Sequence, residues 1–456
     1  MATYQTARGM RDLLPAEAAG FDALAGVFFA RAKRYGYPRL VTPLVEDREV
    51  FLRSAGATSD AAGREMYEVI LHGESGLALR PEGTAPVARA YLQHGLHRAP
   101  QPVRLAYWEP MFRGQRPQKL RFRQFWQWGL ECFGASEAPA DVEIIEFTAG
   151  LLAESGLTDV VLKLNTIGST AARAGVKAAL TAYFSDHRDA LDDDCRERLG
   201  SNVLRIFDCK NPADRQLAKG APRLRDLVSA EDRAHFAEVT EGLERLGVRF
   251  EIDEQLVRGL DYYTRTVFEF ILTDPAFTQA GEIAVAAGGR YDGLVRTMGG
   301  PDVPGVGVAG GVDVLYFALA QQGVAMEQGT GADIYILSGD PDDGADRTQL
   351  ATPLREAGFS VAVDYSKRSL DKQLESAVKH GAKVVVIRGT EESRGGKVIV
   401  RDLVAKEQRI TRLAAVVTEV GRHVRKRERP RLIDEPGAAG ETPFLTGPAV
   451  PTGPEA

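Results

Sequence analysis

The stretch Gln124-Phe125-Trp126-Gln127-Trp128-Gly129-Leu130-Glu131-Cys132-Phe133 decides the fold around it, because its polar and apolar residues alternate. In an extended chain alternate side chains share a face. One face therefore carries Trp126, Trp128, Leu130 and Cys132, and the other carries Gln127, Gly129 and Glu131. The apolar face predicts a sheet core. The polar face is either the floor of a site for a polar ligand or a solvent-facing sheet surface.

A second extended stretch, from about Val103 to Trp108, precedes this strand, and the two together predict an antiparallel hairpin. The segment from Val103 to Phe125 has a single acid, Glu109, against six basic residues. Such a charge run is either a solvated face or a local patch that binds nucleic acid. The basic residues are Arg104, Arg113, Arg116, Lys119, Arg121 and Arg123.

Helical patterns flank the hairpin. Pro15 and the apolar spacing that follows predict a helix from about Ala16 to Arg34. A second helix is expected after Arg80-Pro81-Glu82-Gly83-Thr84, which places Glu82 and Thr84 near its start. From about Thr170 to Gly247 the pattern is mostly helical and carries no chemical motif, so we interpret it as an insertion.

The pattern changes near Gly331, where short apolar strands begin. The first three are separated by helical stretches, which is typical of a parallel sheet with crossover helices. We therefore expect one domain over 1–325, a separate α/β domain over 331–425, and a disordered proline- and glycine-rich tail over 427–456. The predicted strands are Ile334–Leu337, Val361–Val363, Val384–Ile387 and Val398–Arg401.

The composition is that of a soluble multidomain protein: 456 residues, 44% hydrophobic, 26% charged and a net charge of -6. An acidic balance means that a nucleic-acid partner must be held by a local basic patch. The three cysteines, Cys132, Cys195 and Cys209, are odd in number and have no C-x-x-C spacing, which argues against disulfides and a zinc site. We found no apolar segment of signal-peptide or membrane-spanning length, so the expected location is the cytoplasm, without a membrane partner.

Two further segments indicate a ligand pocket: Arg258-Gly259-Leu260-Asp261-Tyr262-Tyr263 and Ala287-Gly288-Gly289-Arg290-Tyr291-Asp292-Gly293-Leu294. An arginine placed before two phenols suits a pocket that holds a phosphate and a small aromatic ligand. The glycines of the second segment would let backbone approach that ligand. The alternative is a strand with an ion pair followed by a glycine turn.

Together with Arg8-Gly9-Met10-Arg11-Asp12 and the Met111–Phe125 hairpin, these segments resemble the signatures of histidyl-tRNA synthetases over about residues 7–420. The resemblance implies an α+β catalytic domain with the antiparallel sheet of class II synthetases flanked by helices, a helical insertion at about 170–247, and a C-terminal α/β anticodon-binding domain. It also implies a homodimer, with Pro43 in the dimer-forming motif. The implied substrates are L-histidine, ATP with Mg²⁺, and tRNA(His), and no protein-bound structural metal is expected.

The resemblance assigns roles to individual residues. Arg113 holds the α-phosphate and the carboxylate, and Arg258 adds a second positive charge, so both are catalytic candidates that bind histidine and ATP. Arg121 and Phe122 complete the ATP side. Glu131 and Tyr263 match the donor and acceptor of a neutral imidazole. The remaining histidine-binding residues are Glu82, Gly83, Thr84, Gln127, Tyr262 and Tyr291.

Other residues are expected to meet tRNA. The hairpin loop, with Arg116, Gln118 and Lys119, is placed to contact the acceptor end. In the C-terminal domain, four basic residues are either phosphate contacts or solvated surface. They are Lys367, Arg368, Lys372 and Arg388.

The chain departs from the family pattern at four positions. Val314 stands where motif 3 usually has an arginine, and Gln115 replaces a motif 2 glutamate. These two departures fall on the ATP side, whereas the histidine side is intact. Phe122 and Trp126 replace the usual tyrosine and histidine. An altered ATP side beside an intact histidine side supports an alternative function, that of the histidine-sensing regulatory subunit of ATP phosphoribosyltransferase. The C-terminal domain and the intact Arg258–Tyr263 segment favour the synthetase.

A third interpretation takes Gly305-x-Gly307-x-x-Gly310 as a dinucleotide-binding fingerprint. The residues before it, Pro301-Asp302-Val303-Pro304, do not form a buried strand, so we reject it.

Overall fold

The computed structural model describes residues 4–55, 65–71, 73–117, 120–209, 211–260, 262–278, 282–324, 331–340, 344–389 and 395–425. These residues divide into two compact units. The larger is formed mostly by residues before 325 and the smaller by residues after 330. The expected tail at 427–456 lies outside the described residues.

The larger unit contains two sheets. The smaller sheet has the order β1-β3-β2, with β1 Val45–Asp47, β2 Tyr67–Leu71 and β3 Glu74–Leu79. The seven-stranded sheet has the order β4-β5-β10-β9-β8-β6-β7, and all its neighbours are antiparallel except β6 and β7. Its strands are β4 Val103–Phe112, β5 Gln124–Phe133, β6 Val160–Thr166, β7 Glu251–Ile252, β8 Thr264–Leu272, β9 Ala284–Arg290 and β10 Gly305–Gly311.

The helices of the first 324 residues are placed between and around these strands. The five from Arg173 to Arg245 form the insertion that the sequence predicts. The α-helices are α1 Pro15–Arg34, α2 Arg48–Ala55, α3 Thr84–Gln93, α4 Ala138–Glu154, α5 Arg173–Asp186, α6 Asp193–Ser201, α7 Pro212–Ala218, α8 Leu224–Leu227, α9 Ala230–Arg245, α10 Pro275–Thr278, α11 Leu294–Thr297 and α12 Val312–Gln321.

The predicted hairpin is confirmed, although its first strand continues past Trp108 to Phe112. The apolar face of β5 lies in the main core. Trp128, Leu130 and Cys132 pack there with apolar residues of α1, α4, α9 and α12. The opposite face of the sheet packs a second core with α3 and the insertion. The polar face of β5 is therefore covered, and Glu131 is fully buried.

The glycines of β10 admit large side chains from neighbouring strands. Gly307 lies opposite Glu131, and a Cβ at this position would be 2.0 Å from the Glu131 carboxylate. A Cβ at Gly305 would lie 2.3 Å from the ring of Tyr291. Because these glycines are inside an antiparallel strand, the structure agrees with rejecting the dinucleotide fingerprint.

The smaller unit has the sheet order β12-β11-β13-β14-β15. Strands β11 Ile334–Ser338, β12 Val361–Val363 and β13 Val384–Arg388 are parallel, as predicted, while β14 Lys397–Asp402 and β15 Glu407–Arg412 extend the sheet antiparallel. Strand β15 was not predicted from the sequence, and its side chains are almost all exposed. The α-helices of this unit are α13 Gly344–Glu356, α14 Leu370–Lys379 and α15 Val416–Val420.

Candidate active site

A cavity of about 530 Å³ lies against the polar face of the seven-stranded sheet. Its lining comes from the start of α3, the β4–β5 hairpin, the segment before β8, the strands β8 to β10, and the insertion. The fold thus brings together segments that are far apart in sequence. The predicted residues that line the cavity are Glu82, Thr84, Arg113, Gln115, Arg121, Phe122, Gln127, Arg258, Tyr262, Tyr263 and Val314.

Glu131 lies at the centre of a buried hydrogen-bond network beneath this cavity. Its Oε1 accepts hydrogen bonds from the hydroxyls of Thr84, at 2.7 Å, and Tyr107, at 3.4 Å. Its Oε2 accepts one from the hydroxyl of Tyr291. Burial raises the pKa of Glu131 to about 8. A carboxyl with that pKa exchanges its proton near neutrality.

Tyr107 is a site residue that the sequence analysis missed. It is opposite Gly129 in the hairpin, and its ring occupies the space left by two glycines. A Cβ at Gly83 or at Gly129 would lie 2.3 Å from that ring. Gly129 lies between Gln127 and Glu131 on the polar face of β5. A glycine at that position indicates that a large side chain from a neighbouring segment packs over it.

The start of α3 holds Glu82 in a fixed position. Its carboxylate accepts hydrogen bonds from the backbone amides of Thr84, at 2.7 Å, and Ala85, at 2.9 Å. Burial raises the pKa of Glu82, while these amides oppose that rise. Among the described residues, the amide oxygen of Gln127 is buried and has no hydrogen-bond partner. It is therefore an acceptor available to a ligand.

Three phenols pack against one another, and two of them, Tyr262 and Tyr263, line the cavity. The rings of Tyr262 and Tyr263 have centroids 4.7 Å apart, and Tyr262 meets Tyr291 edge-on at 5.8 Å. Burial raises the pKa of Tyr262 well above its ordinary value, so its hydroxyl stays protonated. Neutral phenols are hydrogen-bonding groups that carry no charge into the cavity.

Two arginines in the cavity lining supply positive charge. Arg113 donates from Nε to the Pro81 carbonyl at 2.8 Å, and its guanidinium lies 5.1 Å from the centre of the Phe125 ring. Arg258 forms an ion pair with Glu269 and lies 5.5 Å from the centre of the Tyr263 ring. The Glu269 carboxylate helps to raise the pKa of Arg258, opposing the effect of burial. Both positions suit an anionic ligand.

The insertion also contributes charged residues to the cavity, although the sequence analysis gave it no chemical role. Arg205 and Asp208 line the cavity. Burial, with the nearby Glu269 carboxylate, raises the pKa of Asp208 to about 6. The insertion therefore adds an arginine and a carboxyl group to the charged residues of the cavity lining.

Arg11 is a further residue with no role predicted from sequence. It donates to Asp313 Oδ1 at 2.8 Å, and Asp313 Oδ2 accepts from the backbone amide of Trp126 at 2.9 Å. Its guanidinium lies 4.7 Å from the centre of the Phe122 ring. This places a cation beside Phe122 and Asp313, the residue that precedes Val314.

Among the described residues, the remaining predicted tRNA contacts are not part of the cavity lining. Arg116 is exposed in the hairpin loop, and Gln118 and Lys119 lie outside the described residues. In the smaller unit, Arg368 pairs with Asp364 at 3.2 Å. Arg388 pairs with Asp346 at 3.1 Å, whereas Lys367 and Lys372 are exposed.

An antiparallel sheet with an arginine-bearing hairpin, facing a pocket of this kind, defines a class II aminoacyl-tRNA synthetase catalytic domain. The family model "Histidyl-tRNA synthetase" matches residues 9–315, and "Anticodon binding domain" matches residues 334–423. The chain belongs to the histidyl-tRNA synthetase family.

Individual relatives agree with this family. A histidine--tRNA ligase of Rhodospirillum rubrum is 43% identical over 91% of this chain and 98% of its own length. One from Desulforudis audaxviator is 41% identical over 92% of this chain and 98% of its own length. The solved structure of apo S. aureus histidyl-tRNA synthetase has a TM-score of 0.77 at 30% identity and covers 91% of this chain and 99% of that one. Among the described helices, none combines the length and apolarity needed to cross a bilayer.

Proposed function

We propose that this chain activates L-histidine with ATP to form histidyl-adenylate and then transfers the histidyl group to the 3′ end of tRNA(His). The observation that carries the proposal is the buried carboxyl of Glu131, which accepts a hydrogen bond from Thr84 of the cavity lining, together with Arg113 and Arg258 in the same lining. The buried carboxyl suits an imidazole, and the two arginines suit an anion. Histidine-dependent exchange of pyrophosphate into ATP tests this directly.

On the histidine side, Glu131 accepts the imidazole N–H and the Tyr263 hydroxyl serves the other ring nitrogen. The α-ammonium is bound by Glu82, Thr84 and Gln127. The amide oxygen of Gln127, which has no hydrogen-bond partner in the part of the chain that the structure describes, supports this role. Tyr262 and Tyr291 complete the wall, and Gly83 leaves space for Tyr107.

Such a pocket discriminates by hydrogen bonding. An apolar amino acid would make none of the hydrogen bonds that the imidazole makes with Glu131 and Tyr263 in this buried site, and sites of this type reject such analogues by about 10⁴-fold or more. We therefore propose that the enzyme works without an editing site.

In the activation step, a carboxylate oxygen of histidine attacks the α-phosphorus in line, and the bond to the pyrophosphate leaving group breaks. Repulsion between anions makes positioning and charge neutralisation the main tasks. Arg113 binds the carboxylate and α-phosphate together, and Arg258 neutralises charge that develops on the transferring group. Arg121 and Phe122 line the ATP side.

The Mg²⁺ that accompanies ATP would offset phosphate charge. Carboxylate oxygens are the ligands it prefers, and those of Asp208 and Glu269 line this cavity. On the same side, Arg11 is proposed as a positioning residue. Its contacts with Asp313 and Phe122 hold the ATP wall where Val314 offers no charge.

Transfer to tRNA requires an RNA-binding surface. Arg116, with Gln118 and Lys119, is proposed to meet the acceptor end. The smaller unit is proposed to bind the anticodon stem, with phosphate contacts from Lys367, Arg368, Lys372 and Arg388. The match of residues 334–423 to an anticodon-binding model supports this division of roles.

A homodimer is part of the proposal. Exposed apolar side chains flank Pro43: Val41 is 64% exposed, Leu44 44% and Val45 39%. Such a patch suits burial against a second copy. Since its substrates are ATP and tRNA, we place the reaction in the cytoplasm.

The rival function is histidine sensing by a regulatory subunit that does not charge tRNA. Val314 and Gln115, both lining the cavity, favour it on the ATP side. The C-terminal domain and the charged pair of Arg258 and Glu269 favour catalysis. Histidine binding without pyrophosphate exchange at saturating ATP would establish the rival.

A further inference from the structure

A second cluster of chemically active side chains lies in the insertion. Asp192 precedes α6, Cys195 is in the first turn of that helix, Cys209 precedes α7, and Asp214 is in the first turn of α7. One ligand atom from each of the four residues lies within 4.8 Å of the other three. The two cysteines are 14 positions apart, so the folding of the insertion, and not a short spacing motif, brings them together.

Two separations within the cluster match those of a tetrahedral metal site. Cys209 Sγ lies 3.3 Å from Asp214 Oδ2 and 3.9 Å from Asp192 Oδ2. Zinc binds thiolate sulfur at about 2.3 Å and carboxylate oxygen at about 2.0 Å, which puts tetrahedral ligands about 3–4 Å from one another. A cation of that size therefore fits among the four groups after small side-chain adjustments.

Neighbouring backbone and side-chain groups already orient these ligands. The backbone amide of Cys195 donates to Asp192 Oδ1 at 2.8 Å, and the side-chain amide of Asn211 donates to Asp192 Oδ2 at 3.2 Å. The backbone amide of Asn211 donates to Cys209 Sγ at 3.4 Å, and that of Asp192 to Asp214 Oδ1 at 3.3 Å. Outer hydrogen bonds of this kind are typical of metal ligands.

The donor set limits the choice of metal. Thiolates favour a soft or borderline ion over Mg²⁺ and Ca²⁺, and a closed set of two sulfur and two oxygen ligands suits tetrahedral Zn²⁺. Cys195, Cys209 and Asp214 are buried, so four groups that carry negative charge when ionised share a site with little access to water. A divalent cation would offset their mutual repulsion.

We propose that Asp192, Cys195, Cys209 and Asp214 bind one structural Zn²⁺. This site would overturn the expectation from sequence, where the absence of C-x-x-C spacing argues against a zinc site. It also has a consequence for the catalytic cavity. Arg205 and Asp208, which line that cavity, lie in the segment between α6 and Cys209. The ion would therefore hold that segment in place.

The test is the metal content of the purified full-length chain after exhaustive dialysis, measured by inductively coupled plasma mass spectrometry. We expect about one zinc per chain in the wild type. Cys195→Ser and Asp214→Asn should lower the zinc content at least about tenfold. Cys132→Ala is the matched control, since Cys132 is a buried cysteine outside the cluster, and it should retain zinc.

A second measurement does not depend on whether the variants fold. The wild-type chain, stripped by a chelator and titrated with Co²⁺, should develop a thiolate-to-cobalt charge-transfer band that Zn²⁺ abolishes. A wild type that binds neither ion would overturn the proposal. A disulfide between Cys195 and Cys209 would also overturn it. That bond would appear as an intact protein mass two hydrogens below that of the reduced chain, together with a peptide that links the two cysteines. Equal zinc loss in Cys132→Ala would also contradict it.

Discussion

Replacing Glu131 by glutamine should weaken histidine binding far more than ATP binding. The substitution keeps the shape of the side chain and removes its ability to carry charge. Glu131 accepts from Thr84 and Tyr107 at one oxygen and from Tyr291 at the other. A glutamine can accept at one oxygen only, so a hydroxyl must turn away.

The loss of histidine binding is estimated from the hydrogen bond between Glu131 and the imidazole. Hydrogen bonds to charged groups contribute about 1.5–3 kcal/mol, which corresponds to about 10- to 100-fold in binding. With the pKa of Glu131 near 8 and that of a free imidazole near 6.5, carboxyl and ligand hold about one proton between them at neutral pH. Glu131→Gln should therefore raise the Kd for histidine by about 10- to 100-fold. The KM for ATP should change less than about threefold.

Isothermal titration calorimetry with histidine gives the Kd for histidine. Pyrophosphate exchange at varied ATP concentration gives the KM for ATP. Glu137→Gln is the control, because it removes an exposed carboxylate outside the cavity. Equal losses for histidine and ATP would refute the assignment of Glu131 to the imidazole. An unchanged Kd for histidine would refute it as well.

Two further predictions concern the same walls. Because burial raises the pKa of Glu131 from 4.5 to about 8, its protonated form stabilises the ligand-free fold, and this contribution is lost as the pH rises through that window. Urea unfolding measures the free energy of unfolding of the wild type and of Glu131→Gln at each pH. Between pH 5 and pH 8 the wild-type value should fall, relative to that of the variant, by about 1.4 kcal/mol per pH unit. A difference between the two that does not change with pH would contradict the shifted pKa. Arg11→Ala should raise the KM for ATP several-fold and leave histidine binding unchanged, because it frees Asp313 and uncovers Phe122. Initial-rate kinetics would check this against Arg53→Ala, an exposed control, and equal effects of both variants would make Arg11 incidental.

The sequence predicted the elements whose patterns are strong. The alternation from Gln124 to Phe133 identified both the strand and its two faces, since one face meets a core and the other a polar site. Strand β15 was missed because its side chains are almost all exposed and give no alternation.

The site was predicted less completely, for reasons that involve contacts between distant segments. Tyr107 acts by filling the space that Gly83 and Gly129 leave, and neither glycine reveals its partner in sequence. Arg11 reaches Asp313 across 302 positions. Asp208 and Cys209 lie in the insertion. Helical periodicity there predicts the helices but not which side chains of different segments are in contact.

Pyrophosphate exchange in the wild type and in Arg258→Ala tests the central claim most directly. Removing Arg258 deletes a cation from the reacting side and leaves the Glu269 carboxylate without its partner in the same cavity. We predict histidine-dependent exchange in the wild type and in Arg249→Ala, an exposed control. Arg258→Ala should show no measurable exchange, with a Kd for histidine within a few-fold of normal. Exchange that survives in Arg258→Ala, or a wild type that binds histidine without exchange, would contradict the account.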